Sequence, residues 1–241
     1  MRYETTYVIV AGVAWIRRSR VETRDGRVDD SVWVVLFDGE EPVARKGAAE
    51  DSTIERGELE GISWDLRWTA LAPPFETPGN ALLRRVAPTH LVTTPALSIS
   101  GQIGDRVLDA APGHSAHLWG KRHAQTWGWA HASTADGRWA HLLTALAPPL
   151  PRVAQHATEK GGPGIPIARS RVEPPQVTVG PYVVDAPVET FIGLRYLDTD
   201  DSDIWCYHSE RGHLRGEDVD VRGAAMEIAV RAPLPGWRVE T

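Results

Sequence analysis

Residues 113–131 read GHSAHLWGKRHAQTWGWAH, and the large polar and aromatic side chains in that stretch share one parity. His117, Trp119, Lys121, His123, Gln125, Trp127, Trp129 and His131 occupy consecutive odd positions, while the even positions between them are mostly small. A period of two is the strand period, with successive side chains on opposite faces. Extended, even as two strands about a bend at 120–124, the stretch puts imidazoles, indoles, an amine and an amide on one face. Such a face is too polar for an ordinary packed core and too rich in tryptophan for an ordinary solvated surface. It reads as the wall of a ligand cavity. A histidine or carboxylic acid walled by indoles holds a proton near neutrality, since desolvation disfavours the charged carboxylate. Aromatic faces stabilise developing positive charge. Together these would protonate an alkene or cyclise a polyene. The same residues could instead merely bind, with indoles stacking on the ligand and an imidazole donating one hydrogen bond.

Other chemistries fall away on spacing. His114, His117, His123 and His131 match no compact zinc signature, and no cysteine or acidic cluster accompanies them. On a strand, His117, His123 and His131 lie roughly 20 to 27 Å apart, so no metal site is expected. There is no G-x-S-x-G elbow, and Cys206 sits inertly in the apolar run Ile204-Trp205-Cys206-Tyr207. Gly161-Gly162-Pro163-Gly164 matches neither a phosphate loop nor a dinucleotide fingerprint, so no cofactor is expected. A net charge of −6 with dispersed Lys and Arg argues against nucleic acid. No run of about 18 apolar residues exists, so no transmembrane segment is expected. The first residues, MRYETTYVIVAGVAW, read as a strand and not as a signal peptide. With the single cysteine, that gives a cytoplasmic expectation and leaves a homodimer open.

The elements that must position these groups are strands. Period-two or apolar runs recur at 3–15, 32–37, 62–69, 96–102, 106–109, the two halves of 116–133, and 139–146. They resume at 165–172, 176–182, 188–197, 204–208 and 219–230. Asp25-Gly26, Asp38-Gly39, Gly104-Asp105 and Asp136-Gly137 supply tight turns between them. Ile62, Trp64, Leu66 and Trp68 alternate with Ser63, Asp65 and Arg67, as in a half-buried strand. In the last strand the apolar parity flips near Gly223, which predicts a bulge or a corner. Thr69-Ala70-Leu71-Ala72-Pro73-Pro74 recurs as Thr144-Ala145-Leu146-Ala147-Pro148-Pro149. The preferred reading is two strands leaving through similar proline ends, with duplication the alternative. The loop-like composition of 148–164 divides the chain into residues 1–150, carrying the Trp/His motif, and a smaller half, 165–241.

His117-Leu118-Trp119-Gly120, then Trp127-Gly128-Trp129 and His131, resemble the CrtC/AttH-like group of double lipocalin-like (calycin) proteins. Trp64-Asp65-Leu66 and the run Ile204-Trp205-Cys206-Tyr207-His208-Ser209-Glu210 support the resemblance. The group includes carotenoid hydratases, tocopherol cyclases and lipocalin-like Diels–Alderases. The resemblance implies an all-β protein of two antiparallel barrels side by side, with an apolar ligand held in a pocket lined by the motif. It implies His117, Asp65 and His131 as catalytic candidates. Trp64, Trp119, Lys121, Gln125, Trp127, Trp129, Tyr207, His208 and Glu210 become substrate-binding candidates. The expected activity is cofactor-independent hydration or cyclisation of an isoprenoid- or polyketide-like molecule, favoured over a non-catalytic carrier of the same ligand.

Overall fold

The computed structural model describes residues 2–37, 39, 41–77, 87–148, 152–164 and 169–240. The first sheet contains β1 (Arg2–Val10), β2 (Ala14–Glu22), β3 (Val28–Leu36), β4 (Val43–Ala48), β5 (Arg56–Leu59), β6 (Ile62–Ala70), β7 (Phe75–Thr77), β8 (Thr89–Ile103) and β9 (Arg106–Gly120). The second begins with β10 (Thr126–Ser133), β11 (Trp139–Leu146), β12 (Val153–Thr158), β13 (Gly161–Gly164), β14 (Ser170–Glu173), β15 (Gln176–Val179) and β16 (Tyr182–Asp185). It ends with β17 (Ile192–Leu197), β18 (Asp203–Arg215), β19 (Asp220–Val230) and β20 (Val239–Glu240). The sheets are antiparallel apart from a short parallel pairing of β17 with β20. Each curls into a nearly closed barrel, and the two stand side by side. Among the described residues there is no helix long and apolar enough to cross a membrane.

The two barrels share one strand order. The first runs β4-β3-β2-β1-β9-β8-β6-β5, and the second runs β13-β12-β11-β10-β19-β18-β16-β15, then β14. In each, the first strand lies in mid-sheet. Chain passes from one sheet to the other at residues 121–125, so β10 and β11 belong to the second barrel. The division expected within 148–164 thus moves about 25 residues earlier, because turn-rich composition marks a loop without saying which sheet follows. The shared order also decides the short sequence repeat. Its copies begin in β6 and β11, which occupy different places in the two sheets, so they are similar strand exits and not duplicated positions.

Several runs resolve differently from their sequence reading. The run 3–15 is a hairpin, broken at residues 11–13 with Gly12 at φ +69°, and unbroken apolar character masked the turn. The run 176–182 breaks at Gly180, and 188–197 opens with a 3₁₀ turn at Val188–Thr190. Asp38 and residues 165–168 lie outside the described residues. The flip near Gly223 is a bulge: Gly212 faces Ala224 and His213 faces Arg222, which leaves Gly223 unpaired at φ +79°.

Three apolar layers follow from alternation along the strands. Val8, Ile16, Val34, Trp64, Leu66 and Ile99 fill the first barrel, and Ala130, Leu142, Val177, Tyr207, Met226 and Ile228 fill the second. The opposite faces of the same strands meet between the barrels through Ile9, Trp15, Trp33, Trp129, Leu194, Ile204 and Cys206. Gly128 shows how tightly the second barrel closes. A Cβ there would lie 2.4 Å from a Val177 methyl group, so β10 can approach β15 only without a side chain.

The inter-barrel layer also buries polar groups. His131 Nε2 donates to the Pro95 carbonyl at 2.7 Å, and its Nδ1 faces His141 Nδ1 at 3.4 Å. His114 packs on His131 with ring centres 3.9 Å apart. Desolvation holds all three imidazoles neutral, lowering His131 to about 3 and His114 and His141 well below the ordinary value. Nearby, Glu210 of the second barrel accepts from the Gly12 amide at 3.0 Å and from the Trp15 indole of the first. Burial pushes its carboxyl up to about 8 against those two donors.

Two outcomes follow for stability. Gly128→Ala forces Val177 aside and costs about 1–3 kcal/mol, the scale of overpacking, read by urea unfolding. The pH dependence has two opposed parts. The histidines take up protons near 6.5 when unfolded but far lower when folded. Their contribution is therefore complete above about 6.5 and is lost as pH falls, by about 1.4 kcal/mol per pH unit for each. Glu210 runs the other way: its folded value of about 8 exceeds its unfolded 4.5, so its contribution is lost as pH rises through 8. Stability should decline below pH 6.5, and a shallower decline above it should vanish in Glu210→Gln. A flat profile between pH 5 and 6.5 would contradict neutral burial of the histidines.

Candidate functional site

A cavity of about 150 Å³ lies between the barrels. The first barrel contributes Tyr3, Tyr7, Trp15, Arg17 and Trp33, whose side chains leave β1, β2 and β3 on the faces turned from the barrel's own core. The second contributes Trp127 and Trp129 from β10, Leu143 and Ala145 from β11, His208 from β18 and Glu227 from β19. Residues 87–89, Leu91, Leu118, His123 and Ala124 also line the cavity. The walls are mostly aromatic and aliphatic, with a few convergent polar groups, which is the usual composition of a small-molecule site.

Two histidine–carboxylate pairs flank this space. His123 is buried in the connection between barrels, its ring stacked on Tyr3 at 3.7 Å. His123 Nδ1 lies 2.8 Å from Asp198 Oδ1. Asp198 also accepts from the Thr199 amide at 2.7 Å and from Arg231 Nη2 at 2.7 Å. Burial would raise the Asp198 carboxyl, but His123, Thr199 and Arg231 outweigh it and hold it well below the carboxylate range. Burial lowers His123 despite Asp198 beside it, so the ring is neutral near pH 7. A carboxylate at Nδ1 selects the Nδ1–H tautomer and leaves Nε2 with the lone pair. That is the arrangement of a general base.

The second pair belongs to the second barrel and is joined by Arg17 from the first. Glu227 Oε2 lies 2.9 Å from His208 Nε2 and 3.2 Å from Arg17 Nη1, and Glu227 Oε1 accepts from the Trp127 indole at 2.5 Å. Arg17 donates to the Tyr196 hydroxyl at 3.0 Å and lies over the Trp33 and Tyr196 rings at 4.9 and 4.8 Å. Burial would raise Glu227, yet Arg17, His208 and Trp127 hold it at about 2. A buried carboxylate and guanidinium are tolerable here because each is paired across the interface and hydrogen-bonded.

Of the residues singled out in sequence, the structure brings Trp127, Trp129 and His208 to the cavity. His131 lies in the buried imidazole group and Glu210 in its contact with Gly12 and Trp15. His117 and Trp119 do not face the cavity. On β9 the even residues His114 and Leu118 turn towards the second barrel, and the connection at 121–125 resets the phase before β10. His117 instead pairs with Glu4 at 2.9 Å on an open groove that also contains Trp119 and Lys121. Gln125 is exposed. Trp64 is packed in the first barrel, donating to the Thr53 carbonyl at 2.9 Å, and its neighbour Asp65 is exposed. Tyr207 lies inside the second barrel, where its hydroxyl accepts from the Leu234 amide at 2.7 Å.

The sequence reading passed over Tyr3, Tyr7, Trp15, Arg17 and Trp33, although within single strands Tyr7 beside Val8 and Trp15 and Arg17 about Ile16 alternate with the barrel core, a usable signal. Asp198 and Glu227 gave none, because their partners His123 and Trp127 are 75 and 100 residues away. Among the described residues, no group of three or more His, Cys, Asp or Glu is placed to hold a metal ion.

No known family profile matches the chain. It is 27% identical over 190 residues to the uncharacterized proteins MT0513 and Rv0493c, from two strains of Mycobacterium tuberculosis. The match covers 67% of this chain and 57% of theirs, so it spans little more than half the length of these curated relatives. Among solved structures it is similar to NE1406 of Nitrosomonas europaea, a protein given an AttH assignment. That likeness has a TM-score of 0.51 at 13% identity and covers 96% of this chain and 92% of the other. The chain has the double lipocalin-like, AttH-like fold.

Proposed function

We propose that the chain binds an apolar, isoprenoid- or polyketide-like molecule between its barrels and catalyses its cofactor-independent hydration or cyclisation. The observation that carries this reading is the buried His123–Asp198 pair at the wall of an aromatic cavity. His123 Nε2 takes the proton from water, or from a hydroxyl of the ligand, as that oxygen bonds to an electrophilic carbon of an alkene. The imidazolium, stabilised by Asp198, returns the proton to the neighbouring carbon. Addition of O–H across the double bond is then complete without redox change. The indoles of Trp15, Trp33, Trp127 and Trp129 supply apolar contact, and Trp127, stacked 6.0 Å from His123, stabilises the imidazolium as it forms. This role belongs to His123 in preference to His117 and Asp65, which stand at the surface. The cavity accommodates a ring-sized fragment, so a longer ligand extends past residues 87–91.

Mass spectrometry of solvent extracts from the purified chain should reveal an apolar molecule, and Ala145→Leu, which fills the cavity, should abolish its capture. On the substrate so identified, His123→Gln should cut kcat by about a hundredfold or more, with KM little changed. Because burial lowers His123, activity limited by this base should persist below pH 6.5 and fall only at more acid pH. Undiminished turnover in His123→Gln would remove the base from His123, and a ligand that never turns over would mark a carrier.

A further inference from the structure

A second compartment adjoins the cavity. It is an open groove of about 960 Å³ at the end of the first barrel, and Tyr3, Ala87 and Pro88 line both spaces. On a chain of net charge −6, the groove is lined by four cations, Arg2, Arg20, Lys121 and Arg122, against two carboxylates, Glu4 and Glu22. Arg2 pairs with Glu22 at 3.0 Å, Arg20 with Asp30 at 3.4 Å and His117 with Glu4 at 2.9 Å. Lys121 and Arg122 have no carboxylate partner among the described residues, though the Arg122 guanidinium donates to the Pro148 carbonyl. Trp119, 38% exposed, lines the same groove beside the imidazoles of His90 and His117, with ring centres 5.5 and 4.8 Å away.

We infer that the ligand is an amphiphile whose anionic head sits in this groove against Lys121 and Arg122 while its apolar body enters the cavity. The inference rests on the cavity being the ligand site, and it adds the chemical class of the ligand. Its strongest support is the connection between the barrels. Lys121 and Arg122 line the groove, and the next two residues, His123 and Ala124, line the cavity. Consecutive Cα atoms are about 3.8 Å apart, so the backbone positions that carry the cations and the base are near neighbours. The connection is fixed at both flanks: the Lys121 amide donates to the Pro88 carbonyl at 3.0 Å, and the Thr199 hydroxyl donates to the Lys121 carbonyl at 2.8 Å. A head bound at Lys121 therefore presents the head-proximal end of the apolar body to His123.

Calorimetric titration with decanoate and with decanol separates head from tail. The wild-type chain should bind decanoate about tenfold more tightly than decanol, an advantage that shrinks as salt rises. Lys121→Glu combined with Arg122→Gln should erase that advantage and leave decanol binding unchanged, whereas Ala145→Leu should weaken both probes. Equal binding of the two probes by the wild-type chain, or an advantage that survives the double substitution, would overturn the head-group assignment and leave the cavity reading intact. Decanoate binding that persists undiminished in Ala145→Leu would place the tail outside the cavity and overturn the inference. Binding of neither probe would overturn both readings together.

Discussion

Every strand in the layer between the barrels must serve two interiors at once. On β2, Ile16 points into the first barrel and Trp15 and Arg17 point out of it. On β10, Ala130 points into the second barrel while Trp129 and His131 face the first. Both barrels are filled mainly by aliphatic side chains, and the polar ends of Trp64 and Tyr207 inside them meet backbone groups. The layer between is where indoles, imidazoles and charges collect, and a void can persist there because large aromatic rings from two curved surfaces do not interdigitate completely.

The charges in that layer are acceptable because they are mated. Arg17 arrives from one barrel, Glu227 and His208 from the other, and each would be costly alone. Asp198 is similarly surrounded, by His123, Thr199 and Arg231. The result is an apolar space whose few polar atoms are oriented in advance. Such pre-orientation is the condition under which an electrostatic contact contributes most to a reaction, because nothing must reorganise as charge develops.

Much of the fold was legible because strands and tight turns announce themselves over short distances. Residues 62–68 alternate, and β6 covers them. Gly26, Gly104 and Gly137 adopt the positive φ that their turns require, and the parity flip at Gly223 is a real bulge. What failed was phase across a break. His117 and Trp119 share parity with Trp127 and Trp129, but alternation holds only within one strand, and residues 121–125 interrupt it. The first hairpin was read as one strand because both of its faces are covered, so no polar alternation marked the turn. Asp198 and Glu227 became visible only once the chain was folded, since pairing at separations of 75 and 100 residues leaves no local pattern.

The common strand order of the two barrels has a consequence for how the molecule comes apart. Two hydrophobic cores would ordinarily allow two independent melting units. Here neither half is complete, because separation would expose Trp15, Trp33 and Trp129 together and take from Arg17 its counter-charge Glu227. A lone barrel would carry a sticky, half-neutralised wall of the kind that drives aggregation of partly folded chains. The topology is that of a tandem pair, but the energetics are those of a single cooperative domain.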